Sequence, residues 1–311
     1  MKQEKIAILD ASTLGSDVDL TIFDELGEVS IYDTTSPSEL ISHIGNASIV
    51  ITNKVVIDAN AMDNTNIKLI CIAATGMNNI DLAHASQKNI EVKNVVGYST
   101  SSVAQLTFSI VLQFIAKISY YDDYVKSGQW SKSKIFTNVS KPFYELDGKK
   151  WGIIGLGNIG KSVANIASSF GCDISYYSTS GMNQNTQYNS LSLEELLKTS
   201  DIISIHCALN DDTLNLISKT NLSLLKDKAI ILNLGRGGIV NELDISNMLD
   251  KSDIYYGTDV VSKEPIIEDS PLLKVVNKDQ LIITPHIAWA SIEARKRLVK
   301  SIKDNIKDFI L

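Results

Sequence analysis

Trp151-Gly152-Ile153-Ile154-Gly155-Leu156-Gly157-Asn158-Ile159-Gly160, followed by the helical pattern Lys161–Phe170, is the stretch that decides the fold. A short apolar run reads as a buried strand, and a G-x-G-x-x-G turn then opens an amphipathic helix. Each glycine has a separate physical task. Gly155 permits the tight turn, Gly157 lets backbone approach a pyrophosphate, and Gly160 lets helix pack against strand. The helix N-terminus supplies partial positive charge to phosphate oxygens. In this strand–turn–helix setting the pattern points to a dinucleotide rather than a plain turn.

On either side of this stretch, short β-rich runs alternate with longer helical patterns along the whole chain, the signature of parallel sheets covered by helices. Downstream the candidate strands are Asp173–Tyr177, Asp201–His206, Ala229–Leu234, Ile254–Val260 and Leu281–Thr284, which with Trp151–Gly155 suit a Rossmann-type sheet. Upstream, Lys5–Asp10, Glu28–Tyr32, Ser48–Thr52, Leu69–Ala73 and Ile90–Asn94 form the first of two series, the Rossmann-type strands being the second. Between the two, the hydroxyls of Ser99–Ser102 precede an apolar run, Val103 to Ile118, that reads as one buried helix. The tail from Ala290 to Leu311 is a charged amphipathic helix with no strand after it, expected to pack back on the first series. The expected fold class is α/β, with two Rossmann-like doubly wound parallel-sheet domains and a cleft between them.

With 311 residues the chain is long enough for two domains, and an apolar share of 44% with 21% charged residues is that of a folded protein. A net charge of −7 argues against nucleic acid or an anionic membrane as partner, because phosphate surfaces require a positive field. Val103–Ile118 is interrupted by Gln105, Gln113 and Lys117 and is too short for a membrane span. Cys71, Cys172 and Cys207 are dispersed in apolar contexts, as expected of reduced thiols, and no apolar signal region follows Met1, so a cytoplasmic location is expected. Histidines at 43, 84, 206 and 286 show no metal-ligand spacing, so no metal is expected.

Three charged or titratable groups fall just beyond strands of the second series. Arg236, one of only three arginines, lies between glycines in Asn233-Leu234-Gly235-Arg236-Gly237-Gly238. Ligands of open α/β sheets bind at such carboxyl ends, and the planar guanidinium matches a carboxylate or carbonyl oxygen; a surface turn arginine is an equally good reading of that run alone. Glu264 follows Asp259-Val260-Val261-Ser262-Lys263, and His286 follows Thr284-Pro285. The strand after the glycine turn ends in Tyr177-Ser178-Thr179-Ser180, without the acid that would bind the ribose 2′-hydroxyl of NAD and without Arg or Lys to select NADP. Ser178 thus leaves the coenzyme open, with NAD(H) favoured and NADP(H) possible. Tyr98 and Trp289 are pocket walls or packing aromatics, with packing slightly ahead.

Gly155–Gly160, Asn233–Gly238, Asp259–Pro265 and Pro285–His286, in this order and spacing, resemble the D-isomer-specific 2-hydroxyacid dehydrogenases over nearly the whole chain. Ala73–Asp81, Val96–Gln105 and His286–Ala290 look like the glycerate dehydrogenase (hydroxypyruvate reductase) branch; Ser178 and Val261 depart from the usual pattern. The resemblance implies a flavodoxin-like substrate-binding domain, residues 1–99 plus 288–311, a coenzyme-binding Rossmann domain, residues 100–287, and a homodimer formed through the coenzyme domain, including the Val103 helix. It assigns catalysis to Arg236, Glu264 and His286, and a substrate site to Thr75, Gly76, Met77 and Asn78 together with Arg236 and His286. It assigns coenzyme contacts to Gly155, Gly157, Asn158, Ile159, Gly160, Ser178, His206, Cys207, Ala208, Thr213, Asn233, Leu234, Gly235, Asp259 and Val103. The implied reaction is hydride transfer between nicotinamide and a small 2-oxo or 2-hydroxy acid, with hydroxypyruvate or glyoxylate the best guess.

The chemistry is consistent with those roles. Reducing a 2-oxo acid needs a hydride on carbon and a proton on oxygen, and the protein must supply the proton. Histidine titrates near ~6.5, and a neighbouring carboxylate raises that value, keeping the ring protonated for reduction. The alternative is an NAD(H)-sensing binding protein of the same fold, resembling the corepressors of this family, which would bind NADH without turnover. A formate dehydrogenase is disfavoured because members of that type carry Gln where Glu264 stands.

Overall fold

The computed structural model describes residues 4–183 and 185–311. The chain divides into two compact units, Met1–Ser99 with Trp289–Leu311, and Thr100–Ala288.

The first unit holds β1 (Glu4–Ile8), β2 (Gly27–Ile31), β3 (Ile49–Thr52), β4 (Leu69–Ile72) and β5 (Glu91–Lys93), in the order β2-β1-β3-β4-β5 with every pairing parallel. This is the flavodoxin-like order. β3 and β4 are buried on both faces, which explains their unbroken apolar sequences Ile49-Val50-Ile51 and Leu69-Ile70-Cys71-Ile72. The helix Ile292–Ile310 covers one face through Ala294, Leu298, Val299, Ile302 and Ile306, spaced as one apolar stripe. These side chains share a core with Ile6, Ile8, Ile49, Ile51, Leu69 and Cys71. Tyr98 and Trp289 pack edge-on at the rim of that core, with ring centroids 6.3 Å apart.

The second unit holds β6 (Lys150–Ile154), β7 (Asp173–Tyr177), β8 (Asn189–Ser190), β9 (Ile202–Ile205), β10 (Ile230–Asn233), β11 (Tyr255–Thr258) and β12 (Leu281–Ile283). Their order is β12-β11-β10-β9-β6-β7-β8, all parallel, so the chain reverses its direction of sheet growth between β6 and β9. That reversal is the topological switch point of a doubly wound sheet, and ligands bind beyond the carboxyl ends of its strands. β8 is absent from the sequence expectation: two exposed polar residues carry no apolar alternation to betray a strand.

The long helix Thr100–Ala116 buries Val103, Ala104, Thr107, Phe108, Ile110, Val111 and Phe114 against the sheet. It ends two residues before the expected Ile118 because Lys117 turns to φ 51°, and a separate helix, Ile118–Lys126, follows with no buried residue. Among the described residues no single helix is long and apolar enough to cross a membrane. Trp151 on β6 is fully buried, packs at a tilt against Phe108 with ring centroids 4.9 Å apart, and donates from Nε1 to Ser204 Oγ at 2.9 Å, so its one polar atom is satisfied inside the core.

Candidate active site

In the turn after β6, Gly155 and Gly160 are each required by the chain itself. Gly155 has φ +91°, and a side chain there would press on Cys207. Gly160 faces the Gly155 carbonyl oxygen so closely that a Cβ would overlap it. Gly157 is different. Its φ of −81° and ψ of −159° suit any residue, and an added Cβ would meet nothing within 4 Å. Neither backbone strain nor packing within the chain requires glycine at 157, and open space lies above it. Gly157 is also the N-cap of the helix Asn158–Ser169, whose first N–H groups lack intrahelical acceptors. The cradle therefore fits a pyrophosphate.

Beside it, Cys207 contacts the Gly155 turn and is buried, with its thiol pushed up to about 11 by burial. His206 donates its backbone N–H to Ile154 O at 2.8 Å, but neither ring nitrogen has a hydrogen-bond partner among the described residues. Burial lowers its pKa to about 3 and keeps the ring neutral. A neutral ring with one donor and one acceptor unspent suits a polar ligand at this strand end. The segment that follows is folded by Thr213, whose Oγ1 donates to Ala208 O at 2.8 Å.

At β10, Asn233 shapes the arginine loop: its Oδ1 accepts from Gly235 N at 3.2 Å and its Nδ2 donates to Arg236 O at 2.9 Å. The half-buried Arg236 donates from Nη1 to Gly235 O at 2.9 Å. Leu234 is buried below the loop. Beyond β11 and β12 the structure brings Glu264 and His286 together: His286 Nδ1 donates to Glu264 Oε2 at 2.6 Å. An ionised carboxylate only accepts, so the proton on Nδ1 is fixed and Nε2 is the ring atom left to exchange one. Glu264 is itself oriented by Val261 N–H, which donates to its Oε1 at 3.2 Å.

The backbone at His286 is held just as firmly. It sits at φ 54°, in the left-handed region, with its N–H shared between Asp259 O at 2.9 Å and Thr284 O at 3.0 Å. Asp259 Oδ1 accepts from Ile287 N at 2.8 Å and Thr284 Oγ1 at 2.6 Å, and its Oδ2 accepts from Ala288 N at 2.8 Å. Burial raises the Asp259 pKa, and these donors pull it back. One buried carboxylate thus fixes a strained turn that aims the imidazole.

The remaining candidates sit each within its own unit. Val103 is on the buried face of the long helix, within the core of the second unit. Thr75, Gly76, Met77 and Asn78 follow β4 in the first unit, where Thr75 Oγ1 donates to Val95 O at 2.9 Å and Asn94 Nδ2 donates to Thr75 O at 2.6 Å. Three contributors escaped the sequence reading. Thr284 stands next to the quoted Pro285-His286 and is betrayed only by its hydroxyl. Glu242 accepts from Ser262 N–H at 2.5 Å and Ser262 Oγ at 2.7 Å, steadying the Glu264 loop from a distant helix. Asn183 donates to Leu156 O at 2.8 Å from the loop after β7.

The model for the D-isomer specific 2-hydroxyacid dehydrogenase, NAD binding domain, matches residues 108–288. The chain belongs to this dehydrogenase family. It is 37% identical to the hydroxypyruvate reductase of Blautia hydrogenotrophica, over 98% of this chain and 97% of that one. It is 33% identical to the glycerate dehydrogenase of Methylorubrum extorquens, over 99% and 96%. Among solved structures, the TT0316 protein from Thermus thermophilus superposes with a TM-score of 0.87 at 27% identity, covering 98% of this chain and 96% of that one. The D-lactate dehydrogenase from Aquifex aeolicus, complexed with NAD and lactic acid, gives 0.81 at 25%, covering 99% and 95%.

Proposed function

We propose that this dehydrogenase interconverts a small 2-oxo acid and its D-2-hydroxy acid with NAD(H) favoured, and that hydroxypyruvate or glyoxylate is the oxo acid. The single observation that carries the reading is the His286 Nδ1–Glu264 Oε2 contact at 2.6 Å beyond adjacent strands whose neighbour, β10, leads into Arg236. When bound, the nicotinamide gives or takes the hydride. His286 Nε2 delivers a proton to the carbonyl oxygen in reduction and takes it back in oxidation, while Glu264 stabilises the charged ring and fixes its rotation. Arg236 holds the substrate carboxylate in its fork and polarises the carbonyl. The substrate preference follows the two relatives named for hydroxypyruvate and glycerate.

The same reading gives Thr100–Ala288 the coenzyme and the first unit, through the backbone of Thr75–Asn78, a part in receiving the substrate carboxylate. A homodimer is supported by the segment beyond Lys117, where Ile118, Ile135, Phe136, Val139 and Phe143 are exposed, Phe136 to 89%. Apolar side chains gathered on one stretch of a soluble surface mark a protein interface. The buried free thiols Cys71, Cys172 and Cys207 favour a cytoplasmic protein.

Purified protein assayed with NADH and NADPH against hydroxypyruvate, glyoxylate, pyruvate and 2-oxoglutarate tests the proposal. Hydroxypyruvate or glyoxylate should be reduced fastest, and His286→Asn should lower kcat by about 10²–10⁴-fold, the usual share of a general acid. Tight NADH binding without turnover on any of these acids would overturn the catalytic reading in favour of a coenzyme sensor.

A further inference from the structure

β10 and β11 are adjacent parallel strands, and the loops that leave their carboxyl ends touch. The first loop carries Arg236 and Gly237, and the second carries Val261, Ser262 and Glu264. They meet at one peptide group, the one that joins Val261 to Ser262. Its carbonyl lies against Gly237 so closely that a Cβ at 237 would overlap the Val261 oxygen and carbon. Gly237 has no left-handed backbone angle, so close packing alone demands glycine there.

On its other side the same peptide donates the Ser262 N–H to Glu242 Oε1 at 2.5 Å, and the Ser262 hydroxyl donates to that oxygen at 2.7 Å. Glu242 is half-buried and is the first residue of the helix Glu242–Leu249. Its carboxylate is not needed to cap that helix, because Asn241 Oδ1 accepts from Asp244 N at 3.1 Å. A charged oxygen holds its donors more strongly than a neutral one. The peptide is therefore clamped between Gly237 and Glu242. A peptide fixed in this way also fixes the residue before it, Val261, whose own N–H donates to Glu264 Oε1 at 3.2 Å. The other oxygen of Glu264 receives His286 Nδ1 at 2.6 Å. The Glu264 side chain is 34% exposed, so packing alone does not hold its carboxylate in this place.

We propose that Glu242 is a positioning residue for catalysis, which clamps the Val261–Ser262 peptide on Gly237 and so keeps Glu264 in line with His286 Nδ1. Glu242 touches no reacting atom and acts through Ser262, Val261 and Glu264 in turn. The inference rests on the catalytic reading of Glu264 and His286 and extends it to the helix behind them. The same clamp ties the loop of Arg236 to the loop of Glu264, since Gly237 follows Arg236 directly.

The test compares the full-length wild type with Glu242→Ala, Glu242→Gln and Ser262→Ala. The readings are kcat and KM with the oxo acid reduced fastest, NADH affinity by fluorescence titration, and the ring signals in long-range proton–nitrogen NMR spectra of histidine-labelled protein. Glu242→Ala should lower kcat by about tenfold to a hundredfold, the worth of a hydrogen bond to a charged group, while KM and NADH affinity stay within about threefold. The His286 signals, assigned by their loss in His286→Asn, should shift in Glu242→Ala while those of His43, His84 and His206 stay. Glu242→Gln keeps an acceptor without the charge and should recover most of the lost kcat. Ser262→Ala removes one of the two bonds without touching the helix; it should lower kcat by about twofold to tenfold, and it carries the test if Glu242→Ala does not fold. An unchanged kcat in either folded alanine variant, an unmoved His286 signal, a Glu242→Gln no better than alanine, or an NADH affinity that falls as far as kcat each overturns the proposal. A wild type that binds NADH and reduces no oxo acid is a distinct result, which removes the catalytic reading first and this inference with it.

Discussion

Gly157→Ala separates the needs of the fold from those of the ligand. The methyl group meets nothing within 4 Å, and the backbone at φ −81° is open to alanine. Alanine is a poorer N-cap than glycine, at a cost of up to about 1 kcal/mol, but it reduces unfolded-state entropy, which returns about 0.4–1 kcal/mol. The net change in stability is therefore near zero, and the melting temperature should move by no more than about 2–4 °C. The same methyl projects into the space where phosphate oxygens would approach the first N–H groups of the helix Asn158–Ser169. Each charge-assisted bond lost is worth about 1.5–3 kcal/mol, or roughly a tenfold to hundredfold rise in the dissociation constant for NADH. Gly160→Ala is the control with the opposite signature: its methyl overlaps the Gly155 carbonyl oxygen, and overpacking of this kind costs about 1–3 kcal/mol. Thermal melting of the apoprotein and fluorescence titration with NADH, run on both variants, read the two effects separately. A Gly157→Ala protein that binds NADH like the wild type would refute the pyrophosphate cradle, and one that melts far below it would show that the space above Gly157 is not open.

Further predictions concern the charged and buried groups. Glu264→Gln removes the carboxylate that fixes the Nδ1 proton and the rotation of the His286 ring, so kcat for reduction should fall while NADH affinity is kept; an unchanged kcat would take Glu264 out of the mechanism. Arg236→Lys retains the charge but not the fork, and should raise KM for the oxo acid well beyond any change in NADH affinity; equal losses in both would mark Arg236 as structural. For His206, burial holds the folded-state pKa to about 3, against ~6.5 for an unperturbed ring. Between these values the unfolded chain binds the proton and the folded chain does not, so this group makes stability fall as pH drops through that window, by up to about 1.4 kcal/mol per unit. His206→Leu should flatten that slope in urea unfolding between pH 7 and pH 4; an identical slope would show that the ring is solvated.

The order of elements was legible because burial on both faces writes strands such as Ile230-Ile231-Leu232-Asn233 as apolar runs, and because Gly155 and Gly160 of the β6 turn are required by the backbone and by close packing. The types of the candidate site residues were legible too, since arginine is scarce in this chain and Glu264 and His286, like Arg236, fall just beyond strands. What the sequence conceals is the destination of individual polar atoms. Asp259 reads as one more acid after a strand, yet its oxygens are spent on Thr284, Ile287 and Ala288, more than twenty residues away. The left-handed backbone of His286 follows from those bonds rather than from any local preference. Nor does Asn183 announce that it will reach the Leu156 carbonyl across the turn.

The helix Ile292–Ile310 has a consequence for biosynthesis. It supplies one wall of the core that begins with Ile6 and Ile8, yet it leaves the ribosome after the whole of Thr100–Ala288. The five-stranded unit, whose first strand is translated earliest, therefore cannot close until the seven-stranded unit has already emerged and had time to fold. Until then the apolar face of β1, β3 and β4 stands open to solvent and to chaperones, so the nascent chain matures in the reverse of its written order.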